Sequence, residues 1–166
     1  MAGPRRGRGS MSTRVRDLDM DDLAGVVGID AAHAGAARPA YWSALLSSFL
    51  RREDGPLRVG LAAEDAGRLV GYLLGEVRAF EFGSEPCGWV FAVGVHPGHA
   101  RRGVASALLA EACARFHAAG VHRVRTMVRR DDVALQSFFR AAGLVGGPFV
   151  QLELDLAGTP AGRTWP

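Results

Sequence analysis

The chain has 166 residues, of which 48% are hydrophobic and 22% charged, and its formal net charge is +3. This length fits one domain with a single core, and the balance of apolar and charged residues excludes an intrinsically disordered chain. No apolar run approaches the ~20 residues of a membrane helix, and no apolar segment follows the basic N-terminus, which excludes a secretory signal and favours a cytoplasmic protein. We expect a flexible basic arm over residues 1–11, one domain over 12–156 and a flexible tail over 157–166.

The domain is predicted to begin with a strand and two helices. Residues 13–17 form a short strand, and Asp19 can cap the helix that follows it. A second helix is predicted over about residues 40–52, because its apolar side chains recur at helical spacing. These side chains are Trp42, Leu45, Leu46, Phe49 and Leu50.

Three strands follow as a meander, over residues 57–63, 68–80 and 87–95. In the third strand both sets of alternating positions are apolar, so we expect a central strand that is covered on both faces. One face carries Trp89, Phe91, Val93 and Val95, and the other carries Val90, Ala92 and Gly94.

The second half of the domain is predicted as a helix, a strand, a helix and a closing strand. The first helix starts after Gly103 and ends at Gly120, and the strand covers residues 121–128. Asp131 or Asp132 caps the second helix, and residues 149–156 alternate as a closing strand. The order β-α-α-β-β-β-α-β-α-β predicts an α/β fold with a mixed sheet and helices on both faces.

Residues 93–109 carry the most specific chemical signal in the sequence. A buried strand is followed by a proline-containing turn, then by Arg101, Arg102 and Gly103 directly before a helix. A helix N-terminus offers unpaired N–H groups and a partial positive charge, so this segment suits a pyrophosphate. An ordinary strand-to-helix turn with solvated arginines remains the alternative interpretation.

The same residues resemble the acyl-CoA loop of the GNAT superfamily of N-acetyltransferases, which usually has the form P-x-x-[RQ]-x-x-G-x-[GA]. Pro97, Gly103 and Ala105 match this pattern, whereas Ala100 stands where Arg or Gln is usual. A second segment, from Asp132 to Leu144, is similar to the family's N-x-x-A-x-x-[FL]-Y-x-x-x-G-F pattern. The resemblance covers about residues 12–156 and implies a mixed, mostly antiparallel sheet.

The resemblance implies that acetyl-CoA is the co-substrate and that an amine attacks its thioester directly. The pantetheine would pair with a splayed central strand, and the phosphates would bind mainly to backbone N–H groups. The residues implied in cofactor binding are Val93, Val95, Ala100, Arg101, Arg102, Gly103, Val104, Ala105, Asp132 and Phe139. No metal site is implied.

Both catalytic side chains that are usual in the family are missing. Many relatives carry a glutamate on the central strand where this chain has Phe91, and a tyrosine proton donor where it has Phe139. Substitute bases are sought in Glu81 and Glu85, whose loop precedes the central strand, with Glu76 and His33 as further candidates. Without acid–base help the reaction would be slower by roughly 10²–10⁴-fold.

Three functional hypotheses follow from the sequence. The first is an N-acetyltransferase that acts on a small-molecule or peptide amine, and the second is an acyl-CoA-binding or sensing module with little or no catalysis. The third, a nucleic-acid-associated protein that uses Arg5, Arg6 and Arg8, is disfavoured because no basic face is evident on the domain. A homodimer is left open, since dimers are common in the family.

Overall fold

The computed structural model describes residues 13–51, 55–79 and 83–155. The predicted arm and tail, with Glu81, therefore lie outside the described residues. Single 3₁₀ turns at Met20–Asp22 and Pro97–His99 accompany the regular elements. In chain order these are β1 (Arg14–Asp17), α1 (Leu23–Ala34), α2 (Pro39–Leu50), β2 (Arg58–Asp65), β3 (Arg68–Arg78), β4 (Cys87–Val95), α3 (Val104–Ala118), β5 (Val124–Thr126) and α4 (Val133–Ala141).

The strands form one mixed sheet in the order β1-β2-β3-β4-β5. The first three pairings are antiparallel and the last, between β4 and β5, is parallel. A parallel pair needs a crossover, which α3 supplies. The predicted α/β class with a mostly antiparallel sheet is thus confirmed.

Each face of the sheet buries its own apolar cluster. α3 and α4 cover one face, where Phe116, Leu108 and Phe139 pack on strand residues such as Leu73 and Val90. On the opposite face α1 and α2 bring side chains such as Ile29, Trp42 and Leu46 against Tyr72 and Leu74. β3 and β4 are covered on both sides, as the apolar pattern of β4 predicts.

The first helical segment begins where the sequence predicts a cap. Asp19 accepts a hydrogen bond from the Asp21 N–H, and the Asp22 carboxylate accepts one from the Asp19 N–H, which together form a capping box. Asp22 also pairs with Arg16 on β1 at 2.7 Å. The helix then ends at Gly35, whose φ of 77° suits a residue without a side chain.

The predicted closing strand is wrong for the described residues 149–155, which form no strand. Val150 and Leu152 are 78% and 90% exposed, so their alternating pattern has no sheet face to cover. Gly146, Gly147 and Pro148 precede the segment, and the Phe149 ring packs under the Arg125 guanidinium at 4.6 Å. Alternation predicts a strand only where a neighbour supplies the ladder of backbone hydrogen bonds.

β5 is also shorter than the predicted residues 121–128. The Val121 N–H donates to the Phe116 carbonyl and its side chain is buried, so Val121 closes the C-terminal turn of α3. Only Val124–Thr126 pair with β4. The strand that follows the α3 crossover therefore begins three residues later than predicted.

The side chains of β4 alternate between the two faces of the sheet as predicted, except at Phe91. Leu74 pairs with Ala92 and Gly75 with Val90, so Phe91 is the extra residue of a β-bulge. Val90 and Val93 consequently share the α3 face, although strict alternation predicts opposite faces. Phe91 is left 37% exposed.

Candidate active site

β4 and β5 part at the bulge, where their last paired residues directly precede Phe91 on β4. Their pairing runs from Gly88 to Val90 on β4 and stops at Thr126 on β5, whereas β4 continues to Val95. Thr126 Oγ1 donates to the Val90 carbonyl at 2.9 Å and closes the base of this opening. One edge of residues 91–95 is therefore unpaired among the described strands.

Val93 and Val95, which the sequence predicts as cofactor-binding residues, supply the backbone groups on this edge. The His96 N–H donates to the Val70 carbonyl on β3 at 2.8 Å. Because antiparallel partners alternate, Gly94 also faces β3, while the N–H and C=O groups of Val93 and Val95 point into the opening. His33 Nε2 binds the Val95 carbonyl there at 2.8 Å, and since a carbonyl only accepts, Nε2 carries the hydrogen.

The N-terminus of α3 lies beyond the end of β4 and carries no capping side chain. Gly103 has a φ of 81° and is followed by the first helical bond, from the Ala107 N–H to the Gly103 carbonyl. No acidic residue lies in the first turn, and Arg101 and Arg102 are exposed beside it. Val104, the first residue of α3, is buried against the sheet.

The turn before α3 is held in place by two histidines. His96 Nδ1 accepts the Gly98 N–H at 3.1 Å, and His99 Nε2 lies 3.1 Å from the Asp65 carboxylate at the end of β2. His99 therefore anchors the loop to the sheet. Ala100 is exposed at the position where the family's usual Arg or Gln side chain would start.

A cavity of about 240 Å³ lies at the opening between β4 and β5. It is bounded by α1 and α2 on one side and by α4 on the other. The lining residues are Asp30, Arg38, Tyr41, Trp42, Tyr72, Val90, Phe91, Ala92, Val93, Thr126, Met127, Leu135 and Phe139. The cavity thus joins the free edge of β4 to the first two helices.

The lining contains one ion pair, which the sequence analysis did not identify. Arg38 Nε and Nη2 donate to the two oxygens of Asp30 at 3.0 and 2.6 Å. Arg38 thereby lowers the pKa of Asp30, and the nearby Trp42 indole adds to this effect although its Nε1 does not reach hydrogen-bond geometry with any described group. The available signal was Asp30 itself, a charged residue one turn after Val26 on the buried face of α1.

Both tyrosines of the sequence line the cavity. Tyr72 on β3 is buried, and burial raises the pKa of its phenol, so that it stays protonated throughout the neutral range. Tyr41 on α2 is 53% exposed and lies under Arg38. The cavity therefore contains phenolic protons even though Phe139, which is buried in the lining, has none.

Glu85 and Glu76 are not among the residues that line the cavity, Glu81 lies outside the described residues, and His33 reaches the opening at the Val95 carbonyl. Glu85 precedes β4 by two residues and lies five positions before Val90, a separation of about 16 Å at the ~3.3 Å rise of a strand. Glu76 on β3 forms an ion pair with Arg78 at 3.1 Å.

Asp132, a predicted cofactor-binding residue, caps α4 by accepting the Leu135 N–H at 2.9 Å, which uses one of its two oxygens.

Within residues 13–51, 55–79 and 83–155, no group of three or more His, Cys, Asp or Glu side chains is placed to hold a metal ion. No helix in the same part of the chain has the length and hydrophobicity needed to cross a bilayer.

An uncapped helix N-terminus, a free strand edge and a cavity beyond it together suit an elongated phosphate-bearing ligand whose far end meets a second molecule. The chain belongs to the acetyltransferase (GNAT) family, whose model matches residues 16–144. Acetyl-CoA is the co-substrate of this family, and the open backbone at Gly103 fits it because a Cβ there would meet no atom within 4 Å.

Solved structures with the same fold have different functions. The aminoglycoside N-acetyltransferase AAC(6')-Iy in complex with CoA has a TM-score of 0.77 and 15% identity, over 91% of this chain and 99% of that one. The ribosomal-protein-alanine N-acetyltransferase from Brucella melitensis biovar Abortus 2308 has a TM-score of 0.71 and 16% identity, over 87% and 99%. A transcriptional regulator from Bacillus halodurans C-125 has a TM-score of 0.72 and 16% identity, over 87% and 100%. No curated protein sequence matches the chain.

Proposed function

We propose that the protein transfers the acetyl group of acetyl-CoA to a primary amine by direct attack on the thioester. The observation that carries this proposal is the cavity, because one continuous space touches both the free edge of β4 and the helices α1 and α2. Two substrates that enter from opposite sides would meet beside Val93. Acetyl-CoA supplies an activated acetyl group, and the chain supplies the alignment.

The pyrophosphate is held by the backbone of residues 100–105. The N–H groups that open α3 are not used by a capping side chain, and the helix dipole favours an anion there. Arg101 and Arg102 add positive charge at the exposed rim. The missing side chain at Ala100 removes one contact but leaves these backbone donors in place.

The pantetheine lies along the opening, where Val93 presents its backbone N–H and C=O groups and Val95 its N–H, while the Val95 carbonyl already accepts a hydrogen bond from His33. The Val93 N–H faces the cavity and stabilises the negative charge that develops on the thioester oxygen. Phe139 and Leu135 close the α4 side and exclude water from the reacting atoms. The second oxygen of Asp132 remains available at the start of α4.

Tyr72 takes the role of proton donor to the leaving thiolate. Its phenol lines the cavity and carries its proton at neutral pH, although burial raises its pKa and so makes it a weaker acid. The attacking amine enters as its free base. After attack its nitrogen loses one proton through water, because the lining carboxylate of Asp30 is already bound by Arg38. That proton restores the Tyr72 phenol, so the enzyme ends in its starting protonation state.

The competing hypothesis, an acyl-CoA-binding module without turnover, is favoured by that same lack of an unpaired carboxylate. Steady release of CoA thiol that depends on added amine would establish the enzyme. If acetyl-CoA raised the melting temperature but no amine in a panel of amino acids, polyamines, aminoglycosides and peptides released thiol, the binding module would be correct. If acetyl-CoA gave no thermal shift, both hypotheses would be lost.

A further inference from the structure

Arg38 presents a fixed guanidinium edge to the cavity. Its Nε/Nη2 edge is occupied by both oxygens of Asp30, at 3.0 and 2.6 Å, and its plane lies over the Tyr41 ring at 5.1 Å. The side chain is half exposed, and Nη1 has no acceptor among the described residues. The free Nη1/Nη2 edge is therefore oriented in advance and still has hydrogen-bond donors to offer.

Asp30 acts as the anchor of Arg38 and is not itself a site for the amine. Its carboxylate is about 10% exposed and accepts two charge-assisted hydrogen bonds. Asp30 and Arg38 are the only charged residues in the described lining, so their charges cancel. A polycationic acceptor would find no unpaired carboxylate among the lining residues that the structure describes.

The lining beside Val93 includes a group of apolar side chains, whereas Tyr41, Tyr72 and Thr126 bring hydroxyl groups to other parts of the cavity. Phe91, Met127 and Leu135 face the space beside Val93. The cavity, of about 240 Å³, is partly open to solvent and must also admit the acetyl end of acetyl-CoA. The space that remains beside these side chains suits an acceptor with an apolar side chain.

We propose that the acceptor is a small apolar amino acid, whose carboxylate binds the free guanidinium edge of Arg38 while its amine points towards Val93. This inference rests on the proposed function. The planar fork of an arginine matches the two oxygens of a carboxylate, and the Asp30 anchor holds it at the mouth of the cavity. The free hydrogen-bond donors of Arg38, held in place by Asp30, are the specificity-determining feature.

The first test compares three acceptors that share one side chain: L-leucine, L-leucinamide and isoamylamine, with the corresponding phenylalanine series and with spermidine as the polycation. Values of kcat/KM are corrected for the free-base fraction of each amine. We expect the carboxylate member to exceed the amide and the simple amine by roughly 10- to 100-fold, the scale of a charge-assisted pair of hydrogen bonds.

The second test uses Arg38→Lys, with Arg68→Lys as the matched control at an exposed position on β3. Lysine keeps the positive charge beside Asp30 and so protects the fold, but it has no second edge for a ligand. We expect the ratio of carboxylate to amide kcat/KM to fall about tenfold or more in Arg38→Lys and to stay at the wild-type value in Arg68→Lys.

A binding measurement separates this inference from the proposed function. With saturating CoA, L-leucine or L-phenylalanine should raise the melting temperature more than the amides do, and Arg38→Lys should abolish the difference. That result would support the subsite even if no amine released thiol. Turnover with equal preference for the three members of both series, a preference for spermidine, or no carboxylate-dependent thermal shift in a protein without turnover would overturn the inference.

Discussion

Replacing Gly103 by glutamate tests the position of the acetyl-CoA phosphates. Gly103 precedes α3 with a φ of 81°, and a Cβ built on it meets no atom within 4 Å. A side chain there projects into open space at the helix N-terminus, so that glutamate places a carboxylate where the pyrophosphate is proposed to bind. The left-handed backbone costs a non-glycine residue about 1–2 kcal/mol, which a domain of ordinary stability survives.

Gly120→Glu is the matched control, because Gly120 has a φ of 78° and equally open surroundings at the opposite end of α3. A carboxylate near a helix C-terminus is also unfavourable, so this control is at least as demanding for folding. At 100 times the dissociation constant, acetyl-CoA should stabilise a competent protein by about 2.7 kcal/mol. For a chain of this size that corresponds to a rise of about 5–11 °C in melting temperature.

Thermal unfolding with and without acetyl-CoA should show this rise for the wild type and Gly120→Glu and none for Gly103→Glu. An equal rise in both variants would place the phosphates elsewhere and refute the reasoning for residues 100–105.

Four further substitutions address the proton donor and the core. Tyr72→Phe should lower kcat by about 10²–10⁴-fold with little change in acetyl-CoA affinity, and an unchanged kcat would remove Tyr72 as the acid. Phe139→Tyr should raise turnover or leave it unchanged, so a clear fall in a folded variant would reveal a role for the Phe139 ring that we have missed. Gly88→Ala puts a Cβ within 2.5–2.8 Å of the Phe116 ring and should destabilise the fold by about 1–3 kcal/mol in urea unfolding. Gly28→Ala, whose Cβ meets nothing within 4 Å, should not destabilise it.

Elements with strong local signals could be predicted from the sequence. The capping pattern at Asp19, the glycine at the end of α1 and the apolar faces of β4 depend on neighbours in the chain, and the structure has each of them. The bulge at Phe91 could not be predicted, because it arises from the register against β3 and changes no residue type. The strand predicted over residues 149–155 was wrong because the apolar residues do alternate there, but no neighbouring strand pairs with the segment.

The candidate site also combines features that could be predicted from the sequence with others that could not. The loop around Gly103 is one continuous segment, so its pattern is visible in the sequence. The sequence predicts Glu85 as a base because it precedes β4. The residues of β4 between Glu85 and Val90 place its carboxylate far from the cavity. Asp30 and Arg38 are eight residues apart, and only the turn between α1 and α2 brings their side chains into contact.

The pH dependence of turnover is the last prediction, and it follows from the ionisation of the lining. Arg38 lowers the pKa of Asp30, so its carboxylate stays charged and bound from neutral pH down through its ordinary value near 4, and the ion pair is lost only below that. Burial raises the pKa of Tyr72, so neither shift creates a base near pH 7. The logarithm of kcat/KM should therefore rise with unit slope up to the pKa of the acceptor amine.

Two acceptors whose amines have different pKa values test this prediction. A peptide α-amino group has a pKa of about 7.7–8.0 and an alkylamine one near 10.4, so the inflection should move by more than two pH units between them. Initial rates of thiol release across pH 6 to 10.5 measure both profiles. An inflection at one fixed pH for both acceptors would show that a group of the protein takes the proton, and the water-mediated deprotonation proposed for this cavity would be wrong.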